Sequence, residues 1–247
     1  MSESPVSCHI EAAVGLIAID NPPVNALSQA VRSGLLAAVE QCEADARCSA
    51  IVILCAGRTF VAGADVREFG LPPSEPYLPD LLNRIEACSK PVVVAVHGTA
   101  LGGGFELALA GHYRIALSSA KVGLPEVNLG LIPGAGGTQR LPRAAGFKTA
   151  LQMATSGVPS SVGILLECEV IDRLVDGDSD DLERAATAYA RELVDSAAPV
   201  RPLSAQAVVV DGSESEQIEA VRATLGKRAR GQHAPLAALQ SVANSLT

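Results

Sequence analysis

The sequence predicts an α/β fold whose strands are covered on both faces. Three observations lead there. Short, nearly uninterrupted apolar runs occur at Val14–Asp20, Ala50–Cys55, Val92–Val96 and Tyr113–Leu117. They have strand length but lack the alternation of a half-exposed sheet. Stretches with helical spacing follow them, as in sheets built by crossovers. Turn-forming Gly, Pro and Asn sit between the two kinds of segment.

The elements follow in order. The first strand, Val14–Asp20, ends in the turn Asn21-Pro22-Pro23. Ser28 is placed to cap a helix in which Val31, Leu35, Val39 and Cys42 share one face, to about Asp45. Ala50–Cys55 is a buried strand closed by Ala56-Gly57-Arg58. Leu71–Pro79 holds four prolines in nine residues and is expected to be a loop walling a pocket. A helix is expected over Leu81–Cys88, ending before Lys90-Pro91. Then come the strand Val92–Val96, a helix over Phe105–Ala110 and the strand Tyr113–Leu117. Beyond Thr149 the pattern turns helical, at Leu151–Thr155, Leu182–Asp195, about Glu214–Arg228 and Ala234–Asn244. The chain therefore divides into an α/β core, residues 1–147, and a helical C-terminal region, residues 148–247.

Composition narrows the function classes. The 247 residues are 48% hydrophobic but only 3% aromatic, with no Trp, so Ala, Val, Leu and Ile must fill the core. The net charge of −8, without a basic run, disfavours nucleic acid and anionic membranes as partners. The N-terminus lacks the charge and apolar pattern of a secretory signal, and no apolar run reaches ~18 residues, so a cytoplasmic protein with no membrane span is expected. The six cysteines form no CxxC and read as reduced thiols. The four histidines are dispersed without metal-ligand spacing, so no metal site is expected.

Two glutamates carry the chemistry. Glu106 lies in ALGGGFELALAG and Glu126 in GLPEVNLGLIPGAGGTQR. Gly102-Gly103-Gly104 breaks a strand pattern and opens a helix. That sets unpaired backbone N–H groups beside the first carboxylate. A short helix out and a strand back return Glu126 to the same end of the unit. Two carboxyls beside backbone donors suit acid–base chemistry at a carbonyl compound. A second donor segment is FVAGAD, Phe60–Asp65, because a two-donor oxyanion hole draws on two separate segments. Its ordinary reading is a loop with an Asp cap. Pro133–Thr138 is not a dinucleotide fingerprint: Gln139 stands where the third glycine belongs and no strand immediately precedes it. There is no G-x-S-x-G elbow either.

The ordered segments NPPVNALS, TFVAGADVREF, KPVVVAVHGTALGGGFELALAGHYRIA, VGLPEVNLGLIPGAGGTQRLPR and VIDRLV resemble the enoyl-CoA hydratase/isomerase (crotonase) family over roughly two-thirds of the chain. The wording around Glu106 is most similar to the hydratase half of multifunctional fatty-acid oxidation enzymes. The resemblance implies a spiral of ββα units, with a C-terminal helical region shorter than is usual in the family. It places oxyanion donors on the backbone N–H groups of Ala64 and Gly103. Glu106 would deprotonate water, and Glu126 would deliver a proton to Cα. Substrate contacts fall on Ala62, Ala64, Asp65, Gly102, Gly103 and Pro125, with Arg58 or Lys148 meeting CoA phosphates. The implied substrate is an acyl-CoA thioester, with CoA part of the substrate and no separate cofactor. The implied assembly is a homotrimer or dimer of trimers. An enoyl-CoA isomerase working through Glu126 alone, or a non-catalytic acyl-CoA-binding subunit, are the alternatives.

Overall fold

The computed structural model describes residues 4–228 and 231–246; the first three residues of the N-terminal stretch read above, residues 229–230 and Thr247 lie outside the described part. Strands β1 (Val6–Glu11) and β2 (Val14–Ile19) form an antiparallel hairpin, turned by Ala12 and Ala13, both at positive φ. Helix α1 (Gln29–Ala44) starts at Ser28, whose hydroxyl accepts the Val31 N–H. Strand β3 (Ala50–Cys55) is followed by a short 3₁₀ turn, Val66–Glu68, and by α2 (Leu78–Glu86). Next come β4 (Val92–Val96), β5 (Thr99–Leu101), α3 (Gly103–Ala110), β6 (Tyr113–Leu117) and β7 (Lys121–Gly123). A 3₁₀ turn, Pro125–Leu129, leads to α4 (Gly137–Ala145) and α5 (Phe147–Ser156). The chain continues through β8 (Ser160–Ser161), α6 (Val162–Glu167), β9 (Arg173–Val175) and α7 (Ser179–Asp195), then α8 (Glu214–Arg228) and α9 (Ala234–Ala243).

The main sheet runs β1-β2-β3-β4-β6-β9 and is parallel from β2 onward; a smaller sheet runs β5-β7-β8. Strands β4 and β6 each lie in the main sheet and are followed at once by a strand of the small sheet, β5 and β7. Val61, after β3, bridges to Ala100 of β5, and Ala100 pairs with Val122 of β7. The chain therefore winds as a spiral: main sheet, small layer, helix, and back.

Continuous apolar strands follow from this arrangement. Ile51, Ile53, Val92, Val94 and Val96 face the core shared with α1 to α5. Their neighbours Ala50, Val52, Val93 and Ala95 face Leu182, Ala186, Tyr189 and Leu193 of α7. Both sides of the pleat are buried, so the alternation vanishes. Helix α7 is started by a capping box between Asp178 and Asp181. Cys42, Cys48, Cys55 and Cys88 are buried, and all six cysteines are free.

Several expectations are refined. Helix α2 begins at Leu78, not Leu81, because Pro79 sits in its first turn, where a missing N–H costs nothing. Strand β1 alternates buried or half-buried residues with exposed ones, the pattern of an outer hairpin strand, and was not expected from its polar content. Strands β5, β7 and β8 were missed for their length, two or three residues each. The C-terminal region is mostly helical, yet it returns β9 to the edge of the main sheet. Among the described residues no helix is long and apolar enough to cross a membrane.

One close joint in the spiral is at Gly104, where a Cβ would lie 2.2 Å from the Val61 carbonyl oxygen. Backbone cannot retreat as a flexible side chain can. We expect Gly104→Ala to lose about 2 kcal/mol or more in urea unfolding, with the slope unchanged. A loss under about 0.5 kcal/mol, the range of an ordinary surface change, would contradict the close approach.

Candidate active site

The spiral delivers the site residues by repetition. Val61, Ala100 and Val122 lie side by side across the small layer. Three residues past each come Ala64, Gly103 and Pro125, with Glu126 one further on. Equivalent points on three successive turns thus reach one end of the layer.

There they line a cavity of about 300 Å³. Of the residues expected from sequence, Ala62, Ala64, Gly102, Gly103, Glu106, Pro125 and Glu126 all line it. Asp65 does not. Its carboxylate caps the Val66–Glu68 turn by accepting the Arg67 N–H at 3.0 Å, and the Arg67 guanidinium paired with it holds Asp65 below the usual carboxylate range. Arg58 and Lys148 are exposed and also lie outside the cavity lining.

The donors face this space. Gly103 is the first residue of α3, so its N–H has no acceptor within the helix. A Cβ on Gly103 would come 3.4 Å from the Ala64 nitrogen, so the two donor segments are neighbours. Among the described residues the Ala64 N–H has no backbone acceptor, while the adjacent Leu27 N–H bonds the Gly63 carbonyl. Gly102 is at φ +53°, and a Cβ there would lie 2.7 Å from Oε1 of Glu126. Glycine is needed both for the conformation and for the carboxylate to approach.

The two carboxylates have unlike surroundings. Glu106, only 2% exposed, projects from the first turn of α3. Its Oε1 accepts the N–H groups of Ala135 and Gly137, each at 2.8 Å. Burial raises its pKa, while these two donors and the Arg140 charge oppose the rise. Glu126 is less well served: its Oε2 is buried without a hydrogen-bond partner among the described residues, and only its own backbone N–H opposes the rise. Burial, with a smaller contribution from the Glu106 charge, pushes Glu126 up to about 7. Burial thus raises both carboxyls, but only Glu106 has two donors from another segment and a nearby guanidinium to favour its charged form.

Sequence reading missed the parts that hold these groups. The glycine-rich segment before α4 wraps Glu106: a Cβ on Gly137 would lie 3.0 Å from the Glu106 Cγ. The signal was visible as glycines without a nucleotide pattern, but its target was not. Arg32 on α1 is a second such case. Its guanidinium donates to the carbonyls of Leu27 and Pro76, each at 2.8 Å, and to that of Ser74 at 3.0 Å, and pairs with Glu68 at 2.8 Å. It staples the proline-rich loop against α1. That loop and the preceding turn contribute Val66, Phe69, Leu78 and Pro79 to the cavity lining, which also holds Leu129, Leu131 and Ile132. Val66, Phe69 and Leu129 are more than half exposed, an apolar rim around a polar floor. Among the described residues no group of three or more His, Cys, Asp or Glu could hold a metal ion.

The fold and these groups define a crotonase-type protein. Residues 9–228 match the enoyl-CoA hydratase/isomerase family, and the chain belongs to it. It is 42% identical over 233 residues to the peroxisomal bifunctional enzyme of Danio rerio, covering 94% of this chain but 32% of that protein. The chain thus spans about a third of the length of this relative. It is 44% identical over 186 residues to a probable enoyl-CoA hydratase of Bacillus subtilis, covering 68% of this chain and 72% of that protein. Among solved structures, an enoyl-CoA hydratase from Bacillus anthracis superposes with a TM-score of 0.71 at 28% identity, over 98% of this chain and 90% of that one.

The raised carboxyl of Glu126 gives a stability test. A carboxyl whose pKa is raised on folding stabilises the fold fully below its unfolded value and loses that contribution as pH rises through the folded value. For Glu126 that window runs from 4.5 to about 7. Glu126→Gln carries no charge to bury, so it should be more stable than wild type at pH 8 by about 2 kcal/mol and equal to it near pH 4. Thermal unfolding across pH checks this; a difference that does not change with pH would contradict it.

Proposed function

We propose that the chain is an enoyl-CoA hydratase, adding water across the C2=C3 bond of a trans-2-enoyl-CoA to give the 3-hydroxyacyl-CoA. The observation that carries this reading is the asymmetric pair: an anion-holding Glu106 and a proton-holding Glu126 in one cavity with two unpaired N–H groups. Hydration needs one group to take a proton and another to give one.

In this reading the thioester oxygen lies between the Ala64 and Gly103 N–H groups. Glu106 removes a proton from water as the oxygen bonds to C3. The π electrons move onto the thioester oxygen, giving an enolate that the two donors stabilise. One such donor is worth about 3 kcal/mol in comparable sites. The enolate collapses and C2 takes the proton of Glu126. Glu106 is left protonated and Glu126 ionised, and proton exchange with solvent restores the pair. The chain's own groups supply both proton transfers, and CoA enters as part of the substrate. The apolar rim of Val66, Phe69, Leu129, Leu131 and Ile132 offers the acyl chain a surface to bury. A homotrimer or dimer of trimers belongs to the same reading, on family likeness, and sedimentation tests it.

Hydration of crotonyl-CoA, followed as loss of the conjugated enoyl-thioester absorbance, is the direct assay. Glu106→Gln and Glu126→Gln should each lower kcat by about 10²–10⁴-fold. Turnover that survives both substitutions would overturn the reading. Glu126 must be protonated to act, so kcat/KM should fall as pH rises through about 7. An alkaline limb near the lysine range would assign the acid to another group.

A further inference from the structure

The donors that hold Glu106 sit on backbone that has little stiffness of its own. Between the turn ending at Leu129 and the start of α4 the chain reads GLIPGAG, with no regular structure. Three glycines in seven residues leave many conformations open. Something outside the segment must aim the Ala135 and Gly137 N–H groups at one oxygen.

Arg140 is placed to do so. Its Nη1 donates to the Ala135 carbonyl at 2.9 Å, on the residue whose N–H holds Glu106. Its Nη2 donates to Asn83 Oδ1 at 2.7 Å and to Glu86 Oε2 at 3.0 Å, and its Nε to the same Glu86 oxygen at 3.2 Å. The other Glu86 oxygen accepts the Ser204 N–H at 3.0 Å. The main-chain carbonyl of Glu86 accepts Nε2–H of His112, whose Nδ1 in turn accepts the Val92 N–H at the start of β4. The loop is thereby referred to the main sheet through α2. Both members of the ion pair are buried, Arg140 at 5% and Glu86 at 7% exposure. Gly136 fits the same arrangement: it is at φ +99°, and a Cβ there would lie 2.3 Å from Arg140 Nη1.

A buried ion pair is weak as a source of net stability, because desolvation offsets most of its attraction. It does fix geometry, since both partners and their remaining hydrogen bonds must be satisfied together. We infer that Arg140 is a positioning residue for Glu106: braced by Glu86, it sets the Ala135–Gly137 backbone so that two N–H groups converge on Glu106 Oε1. This deepens the hydratase reading and rests on it for the role of Glu106 as base. The charged groups arrayed about Glu106 are Glu126 from the Pro125–Leu129 turn, Arg140 from α4 and, behind Arg140, Glu86 from α2; α3 carries no other charge. Loss of Arg140 removes a nearby positive charge and frees the donors. Both changes disfavour the Glu106 anion, so its proton is held to higher pH.

The test combines a titration with kinetics. The Glu106 carboxyl is followed by ¹³C NMR in wild type, Arg140→Ala and Arg140→Lys, assigned against Glu106→Gln. In Arg140→Ala its apparent pKa should rise by about one unit, a tenfold loss of the ionised form at pH values below it. On crotonyl-CoA, kcat should fall about tenfold on the acid side of the profile while KM changes less than about twofold. A cavity of about 250 Å³, whose lining includes Asn83, Glu86, Gly136, Arg140, Ser204 and a second cation, Arg143, adjoins the guanidinium. Millimolar guanidinium should therefore restore kcat in Arg140→Ala, with sodium at equal ionic strength giving no recovery. If Arg140→Ala does not fold, Arg140→Lys, which keeps the charge but not the planar fork that reaches Ala135, should still shift the titration upward. A Glu106 titration unmoved in the variants that fold would overturn the proposal, whatever happens to activity. Titration needs no turnover, so a shifted Glu106 in a protein inactive on enoyl-CoA would uphold the positioning role and sink the hydratase reading alone.

Discussion

Oxygen Oε1 of Glu106 joins two segments that meet nowhere else in sequence: the first turn of α3 and the glycine-rich entry to α4. A carboxylate this deeply buried is tolerated only if donors replace lost water. The two backbone N–H groups do so. Their approach in turn demands glycine at 137, where any side chain would meet the carboxylate. The same contact makes the two glutamates unequal. Remove the donors and both carboxyls become buried acids of similar character, with neither suited to be the base.

The spiral is what makes such a contact repeatable. Each turn crosses the small layer at an equivalent position, Val61, Ala100 and Val122, and then leaves it toward the cavity. The N–H groups of Ala64 and Gly103 and the carboxyl of Glu126 are thus parts of one architecture. The joint at Gly104 against Val61 sets their spacing, because backbone packs on backbone with no side chain to adjust. The main sheet, buried on both faces, gives a rigid floor for this layer. Around it, Arg32 and Arg140 act alike. Each is a buried guanidinium that donates to main-chain carbonyls of irregular segments, three for Arg32 and one for Arg140, and pairs with a glutamate, Glu68 or Glu86.

Much of this was legible in the chain. The strands at Ala50–Cys55, Val92–Val96 and Tyr113–Leu117 were readable because burial on both faces leaves an apolar run that no loop would carry. The glycine triplet before Glu106 marked a strand-to-helix turn, since few other residues permit φ near +53°. Helix α1 announced itself through Ser28 and a four-residue apolar spacing. Less was readable where an element is short or borrowed. Strands of two or three residues have no period to detect. Helix α4 opens within a glycine cluster and contains Pro142, both poor helix signals, and its place is set by packing.

By itself, then, the sequence determined the α/β class, the strand-to-helix turn and the pair of carboxylates, because local propensity and burial patterns are written into adjacent residues. The tertiary structure decided which carboxylate receives hydrogen bonds, since the donors at Ala135 and Gly137 are some thirty positions from Glu106 and nothing local links them. It also decided that Asp65 serves its own loop through Arg67, and that Arg140 reaches Glu86 across fifty-four positions. Long-range polar partners depend on where the backbone closes in space, and no residue pattern along the chain records that.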